Sequence, residues 1–142
     1  MIYFDMDGTI ADFYNVNGWL DCLNNEDTMP YKEAKPLIKM NVLARILNNL
    51  QKRGFEIGII SWTAKDSSES YHKAVAREKE KWLHTHLKSV KFNEINILKY
   101  GVPKSTVATE NDILFDDDKR VRNEWCGRAF DETKILEILK AL

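Results

Sequence analysis

The stretch Met1-Ile2-Tyr3-Phe4-Asp5-Met6-Asp7-Gly8-Thr9 decides the fold of this chain. Its apolar start predicts a buried strand, and two carboxylates one residue apart follow at once. Because Asp, Gly and Thr are poor strand residues, the strand should end at Asp5 and leave both acids on the loop at its carboxyl end. In open α/β sheets, ligands bind at that edge. We therefore expect Asp5 and Asp7 to belong to a ligand site.

The rest of the sequence alternates between apolar runs of strand length and amphipathic segments of helix length. We predict helices over residues 11–25, 42–53, from Asp66 to about 87, over 119–126 and after Asp131, and strands over 55–60, within 92–98, over 113–115 and around 128–130. A short segment over 31–40 is interrupted at Pro36. This alternation predicts an α/β fold with a Rossmann-like parallel sheet and helices on both faces.

Three residues are predicted to mark helix ends. Asn41 can cap the helix over 42–53, and Gly54 can close it. Asp66, with Glu69 three residues later, can form a capping box for the long helix that follows. No repeat, linker or low-complexity tract interrupts the pattern, so we expect one domain over residues 1–142.

Composition narrows the classes of partner and compartment. The net charge is −1, with acids and bases spread along the chain, which argues against a nucleic-acid or membrane-surface protein. No apolar run approaches the length of a membrane span, and the acidic pair comes too soon after Met1 for a signal peptide. Cys22 and Cys126 lie in no metal-binding or disulfide pattern. We expect a cytoplasmic protein with free thiols, and a homo-oligomer is compatible with the sequence.

Three later segments carry polar side chains near predicted strands. They are Ile57-Gly58-Ile59-Ile60-Ser61-Trp62-Thr63, Val102-Pro103-Lys104-Ser105-Thr106-Val107 and Asp112-Ile113-Leu114-Phe115-Asp116-Asp117-Asp118. Because adjacent carboxylates repel one another, a bound divalent cation is a natural reason for the last acidic run.

Simpler interpretations exist for each segment. Ser61 can be an ordinary turn residue, and Asp118 can be only the cap of the helix that follows. Lys104 can be a solvated lysine, with Lys99 as its rival for a role in the site. We favour Lys104 because it lies just before the next strand, in a turn fixed by Gly101 and Pro103.

Taken in order, residues 1–9, 57–63, 102–107 and 112–118 resemble the four motifs of the haloacid dehalogenase (HAD) superfamily, whose members are mostly magnesium-dependent phosphatases. The resemblance implies that Asp5 attacks phosphorus and becomes an aspartyl-phosphate. It also implies that Asp7 protonates the leaving oxygen and then activates water.

The same resemblance implies how phosphate and metal are held. Ser61 would donate a hydrogen bond to a phosphoryl oxygen, and Lys104 would neutralise charge around it. Mg²⁺ would be bound by the Asp5 carboxylate, the Asp7 backbone carbonyl and Asp117, with Asp116 as a neighbouring partner. Whether Asp116 or Asp117 is the direct ligand stays open.

The substrate follows less directly from the sequence. The region over about 13–40 is similar to the small helical cap of the 5′(3′)-deoxyribonucleotidase branch, in which cap aromatics hold the base. Transferred to this chain, the likeness implies substrate contacts for a set of residues near the motifs: Gly8, Thr9, Phe13, Tyr14, Trp19 and Trp62. Trp62 departs from the branch, which has a small hydroxyl residue there.

We therefore expect a small phosphorylated substrate, foremost a nucleoside monophosphate. The alternatives are a sugar phosphate, a phosphoprotein, a polynucleotide end, or an idle HAD-fold binding protein without activity. The aromatic residues near the motifs can also be ordinary core or cap packing.

Overall fold

Five parallel strands form the central sheet of this protein, for which a computed structural model describes residues 1–142. The strands of the whole chain are β1 (Ile2–Phe4), β2 (Ala11–Asp12), β3 (Lys35–Pro36), β4 (Ile57–Trp62), β5 (Glu94–Leu98), β6 (Ile113–Phe115) and β7 (Arg128–Phe130). β2 and β3 pair separately as a short antiparallel ribbon. The large sheet has the order β5-β4-β1-β6-β7.

Six α-helices lie between and after the strands. They are α1 (Trp19–Asn24), α2 (Met29–Glu33), α3 (Met40–Lys52), α4 (Glu69–His86), α5 (Lys119–Glu124) and α6 (Ile135–Ala141). Short 3₁₀ helices cover Phe13–Asn15, Lys104–Val107 and Glu132–Lys134. No helix combines the length and the apolar character needed to cross a membrane.

Alternate residues of β1 point to opposite faces of the sheet, as the two-residue period of a strand requires. Ile2 and Phe4 belong to the larger core, which also contains buried residues of α3, α4 and α6. Tyr3 belongs to a second core with Val121 of α5 and with Trp125. Both faces are therefore covered, and the predicted α/β class with a parallel sheet is confirmed.

The strand order creates a switch point at β1. From β1 the chain first builds outward through β4 and β5, then returns to the other side of β1 to add β6 and β7. The chain therefore leaves β1 and its neighbour β6 in opposite directions, which opens a crevice between the loops at their carboxyl ends. In doubly wound sheets this crevice is the usual ligand site. The acids after β1 and after β6 meet at this crevice.

The predicted helix over 11–25 is wrong. Residues 11–12 form β2, residues 13–15 form a 3₁₀ turn, and α1 begins only at Trp19. Gly18, with φ of +75°, breaks the backbone before α1, and such a left-handed residue cannot continue a right-handed helix. The segment over 31–40 splits into the end of α2 and β3, which contains Pro36.

Two predicted helix caps are also wrong. Lys39, not Asn41, precedes α3, so Asn41 lies inside the helix. Asp66 has a left-handed φ of 57°, and Ser68 caps α4 by accepting a hydrogen bond of 3.1 Å from the Tyr71 amide. A serine next to the helix satisfies the same orphan amide that an aspartate would.

Candidate active site

Asp5 directly follows β1, and hydrogen bonds fix both its backbone amide and its carboxylate. Its amide donates to the Phe115 carbonyl of β6, which fixes the backbone at 2.9 Å. Lys104 Nζ lies 2.9 Å from Asp5 Oδ1, and Thr9 Oγ1 lies 3.1 Å from Asp5 Oδ2. The carboxylate therefore has a fixed orientation before any ligand binds.

Lys104 is the cation of the acidic cluster. Its ammonium lies between Asp5 Oδ1 and Asp116 Oδ2, at 2.9 and 2.7 Å, and the side chain is only 3% exposed. Lys99 instead pairs with Glu69 on the surface, where its side chain is 62% exposed. Of the two lysines left open by the sequence, Lys104 is the one that lies among the carboxylates.

Asp116 and Asp117 differ in what their oxygens already bind. Asp116 is almost fully buried, and its two oxygens accept from Lys104 Nζ and from the Asp118 amide. Asp117 Oδ1 lies 3.1 Å from Thr9 Oγ1, and the carboxyl also contacts that of Asp5, but it accepts from neither a lysine nor a backbone amide. Asp117 therefore has the freer carboxylate of the two.

Asp5, Asp116 and Asp117 form a group that can hold a metal ion. One carboxylate oxygen from each residue lies within 4.8 Å of the others. Burial raises the pKa of Asp116 to about 7 and that of Asp117 to about 8, and the negative charge of Asp5 adds to both shifts. Three carboxylates so close repel one another when ionised, more than Lys104 alone offsets, and the oxygen-only donor set suits a hard ion such as Mg²⁺.

Asp5 behaves differently from its neighbours. Burial on its own would raise the pKa of Asp5, but the positive charges of Lys104 and Lys79 outweigh it and lower that pKa. Asp5 is thus the carboxylate kept ionised, as a nucleophile requires. Burial raises the pKa of Asp7, although Lys79 opposes that shift, and a raised pKa suits an acid that donates a proton.

Lys79 is a site residue that the sequence analysis missed, as it also missed Tyr31 and Tyr100 of the cavity wall. Lys79 projects from α4, is 1% exposed, and its Nζ lies 2.9 Å from Asp7 Oδ2. The same ammonium donates to Ser61 Oγ at 2.6 Å and to the Trp62 carbonyl at 2.8 Å. A signal was present in the sequence, because Lys79 follows Val75 by four residues and thus lies on the buried stripe of α4.

A cavity of about 410 Å³ opens over these groups. Its polar floor is lined by Asp5, Asp7, Lys104, Asp116, Asp117 and Asp118, and its wall by the aromatic residues Phe13, Tyr14, Trp19, Tyr31, Trp62 and Tyr100. The polar and aromatic parts together give an amphipathic pocket of ligand size.

Three residues expected at the substrate do not line this cavity: Gly8, Thr9 and Ser61. Thr9 is fully buried and lies between Asp5 and Asp117, so it orients two carboxylates. Ser61 is also fully buried and binds Lys79 beneath the cavity. Both therefore lie behind the groups that face the pocket.

The aromatic wall consists of two packed groups of rings from different parts of the chain. Phe13 lies 5.5 Å from Trp19 and 4.7 Å from Tyr31, measured between ring centroids. On the opposite side, Trp62 lies 5.0 Å from Tyr100, and the Trp62 ring lies 5.2 Å from Lys104 Nζ. Trp62 thus contacts Lys104 at the polar floor of the cavity as well as forming part of its wall.

Comparisons of this chain with protein-family models, with curated proteins and with solved structures gave no match. Its functional interpretation therefore depends on the geometry of the site and on the four sequence motifs.

Proposed function

We propose that this protein is a magnesium-dependent phosphomonoester hydrolase of the HAD type. The observation that carries the proposal is the environment of Asp5. A buried carboxylate lies at the sheet switch point, in contact with Lys104 at 2.9 Å and beside two further acids in metal-binding reach. A nucleophile, a cation for the phosphoryl oxygens and a metal site are the parts that phosphoryl transfer needs.

The reaction follows from the placement of each group. An oxygen of Asp5 forms a bond to phosphorus while the bond from phosphorus to the ester oxygen breaks, and Asp7 gives that oxygen its proton. Asp7 then takes a proton from water as the water attacks the aspartyl-phosphate, which releases phosphate and restores Asp5. Bound Mg²⁺ would supply positive charge at the phosphoryl oxygens, and Lys104 adds to it from the other side of Asp5.

Replacement of the nucleophile gives the first test. Asp5→Asn keeps the size of the side chain but removes the charge that attacks phosphorus, so hydrolysis of p-nitrophenyl phosphate should fall by at least about a thousandfold. The melting temperature should stay near that of the wild type. Asp21→Asn, on the exposed surface of α1, is the matched control and should retain full activity. Substantial turnover by the Asp5 variant would reject the assignment of the nucleophile.

We further propose a nucleoside monophosphate as the substrate. The support is the shape of the cavity, in which carboxylates and Lys104 occupy one end and aromatic rings the other. A base is planar and stacks on aromatic rings, while its phosphate would lie beside Lys104. A sugar phosphate offers no planar group for the ring of Trp19 or Trp62 to stack on.

A panel of phosphoesters tests this choice. Phosphate release is measured from nucleoside monophosphates, sugar phosphates, phosphopeptides and oligonucleotides phosphorylated at either end, for wild type, Trp19→Ala and Trp19→Phe. Nucleotides should be preferred, with a loss of about tenfold or more in kcat/KM for Trp19→Ala and partial recovery in Trp19→Phe, because stacking on one aromatic ring contributes roughly 1–3 kcal/mol. A preference for sugar phosphates, or equal kcat/KM in all three proteins, would reject the nucleotide while leaving the phosphatase in place.

A further inference from the structure

Lys79 is a charged side chain that makes no direct contact with the reacting atoms of the proposed reaction. The ammonium is 1% exposed, and removal of such a group from water costs several kcal/mol unless it is paired. It has three protons, and each meets one acceptor: Asp7 Oδ2, Ser61 Oγ and the Trp62 carbonyl. The ammonium therefore has no proton left to donate to a substrate.

Two of these three acceptors belong to β4. Ser61 and Trp62 are the last residues of that strand, where β4 pairs with β5; the first half of β4 pairs with β1 as well. The position of the ammonium is thus set by a strand of the central sheet. The third acceptor, Asp7, lies on the loop after β1 and has no other side-chain hydrogen bond.

The two oxygens of Asp7 have different surroundings. Oδ2 accepts from Lys79 at 2.9 Å, whereas Oδ1 has no hydrogen-bond partner in the protein. The residue lines the cavity, and its side chain is 19% exposed. With Oδ2 bound to a fixed ammonium, rotation of the carboxylate is restricted, and Oδ1 is left to exchange a proton with the substrate oxygen.

We propose that Lys79 is a positioning residue that holds the carboxylate of Asp7 for proton transfer to the leaving group, with Ser61 as its anchor on β4. The inference rests on the proposed phosphatase function and gives Ser61 a role different from direct contact with phosphate. If the ion pair of Lys79 and Asp7 only stabilised the fold, its removal would lower activity on all substrates alike.

The test compares leaving groups. The p-nitrophenolate ion leaves without help from an acid, whereas the alkoxide of an alkyl phosphate must be protonated as the bond breaks. The ratio kcat/KM reports the steps up to transfer of the phosphoryl group to Asp5, so the later hydrolysis of the aspartyl-phosphate does not obscure the comparison. Both esters are measured for wild type, Lys79→Met, Ser61→Ala and Lys73→Met, with Mg²⁺ present throughout.

Lys79→Met removes a positive charge that helps to keep Asp5 ionised, and this loss should lower kcat/KM equally for both esters. Beyond that shared loss, kcat/KM for the alkyl phosphate should fall by a further factor of about a hundred or more, since general acids contribute roughly 10²–10⁴ in rate. Ser61→Ala should also lower kcat/KM more for the alkyl phosphate than for p-nitrophenyl phosphate. The difference should be smaller than in Lys79→Met, because Lys79 keeps two of its three acceptors. Lys73→Met, which removes an exposed lysine from the same helix, should equal wild type.

Equal losses on both esters in Lys79→Met would overturn the positioning role and leave the phosphatase standing. If Lys79→Met does not fold, Ser61→Ala decides alone, and an unselective loss there would overturn the role. A wild-type protein inactive on both esters would overturn the proposed function and this inference with it.

Discussion

Gly8, in the loop after β1, lies against the carboxylate of Asp117. Its φ is +80°, and a Cβ built on it would lie 2.7 Å from Asp117 Cγ and 3.0 Å from Tyr14 Cε2. A side chain at this position would therefore displace the carboxylate of Asp117, the freer of the two acids after β6. Only glycine allows the loop after β1 to approach that acid so closely.

Gly8→Ala should accordingly impair activity more than stability. The left-handed backbone costs alanine about 1–2 kcal/mol, and displacement of Asp117 should disrupt the metal site in addition. Gly54→Ala is the matched control, because Gly54 has φ of +95° with no atom within 4 Å of the added Cβ. Urea unfolding should show destabilisation in both variants, while phosphatase assays should show a large loss in Gly8→Ala alone. Equal phosphatase activity in the two variants would mean that the close contact between Gly8 and Asp117 is not needed for activity.

Still at the scale of residues, the sequence allowed site residues to be predicted when they lie near strand ends, but it did not show which side chains contact them. Asp5, Lys104 and Asp117 lie together as expected, because parallel strands bring their carboxyl ends to one edge. Lys79 could not be found from strand ends, since it reaches the site from the side of a helix across 72 residues of sequence. Its place on the apolar stripe of α4 was the available signal.

At the scale of elements, the segment with α1 and α2 is tied to α4. The Glu26 carboxylate accepts from the amide and the hydroxyl of Ser68, both at 2.8 Å, and Tyr71 Oη donates to the Asp27 carbonyl at 2.8 Å. The residue that caps α4 therefore also binds the segment that lines the aromatic wall. Lys79, about three turns further along α4 than Ser68, binds Asp7 at the polar floor of the same cavity.

Helices whose apolar residues recur at regular helical spacing were predicted better than segments whose structure depends on tertiary contacts. The helix predicted over 42–53 corresponds to α3, whose buried residues recur at helical spacing. The region over 11–25 has a similar apolar spacing, but its aromatic residues pack against Tyr31 and one another instead of lining one long helix. Spacing alone does not distinguish these outcomes.

At the scale of the whole molecule, the alternation of strands and helices implied a parallel sheet, and β1, the first strand, lies at its centre. The sequence did not give the order of the strands, which depends on which side of β1 each later strand joins. That order is what places the acids of β1 beside those of β6. The N-terminal amine adds a further link, since it lies 2.6 Å from Asp112 Oδ1 just before β6.

Global stability should report metal binding directly. With three carboxylates close together, a divalent ion that binds only the folded state stabilises it by mass action, by about 2.7 kcal/mol at a hundredfold excess over Kd. For a domain of this size that corresponds to a rise of several degrees in melting temperature. EDTA should reverse the rise and abolish phosphatase activity, and Ca²⁺ should not restore activity because it prefers more ligands at longer distances.

Two variants at adjacent positions test whether the rise in melting temperature with Mg²⁺ comes from the proposed site. Asp117→Asn removes a proposed metal ligand and a carboxyl group that crowds Asp5 and Asp116, so without metal it should be at least as stable as wild type, yet Mg²⁺ should no longer raise its melting temperature. Asp118→Asn removes the same charge next door, and because asparagine caps a helix as well as aspartate does, α5 and the response to Mg²⁺ should both persist. The same Mg²⁺ shift in both variants would place the ion away from Asp117, whereas loss of the shift in Asp117→Asn alone would support this carboxylate as a direct ligand.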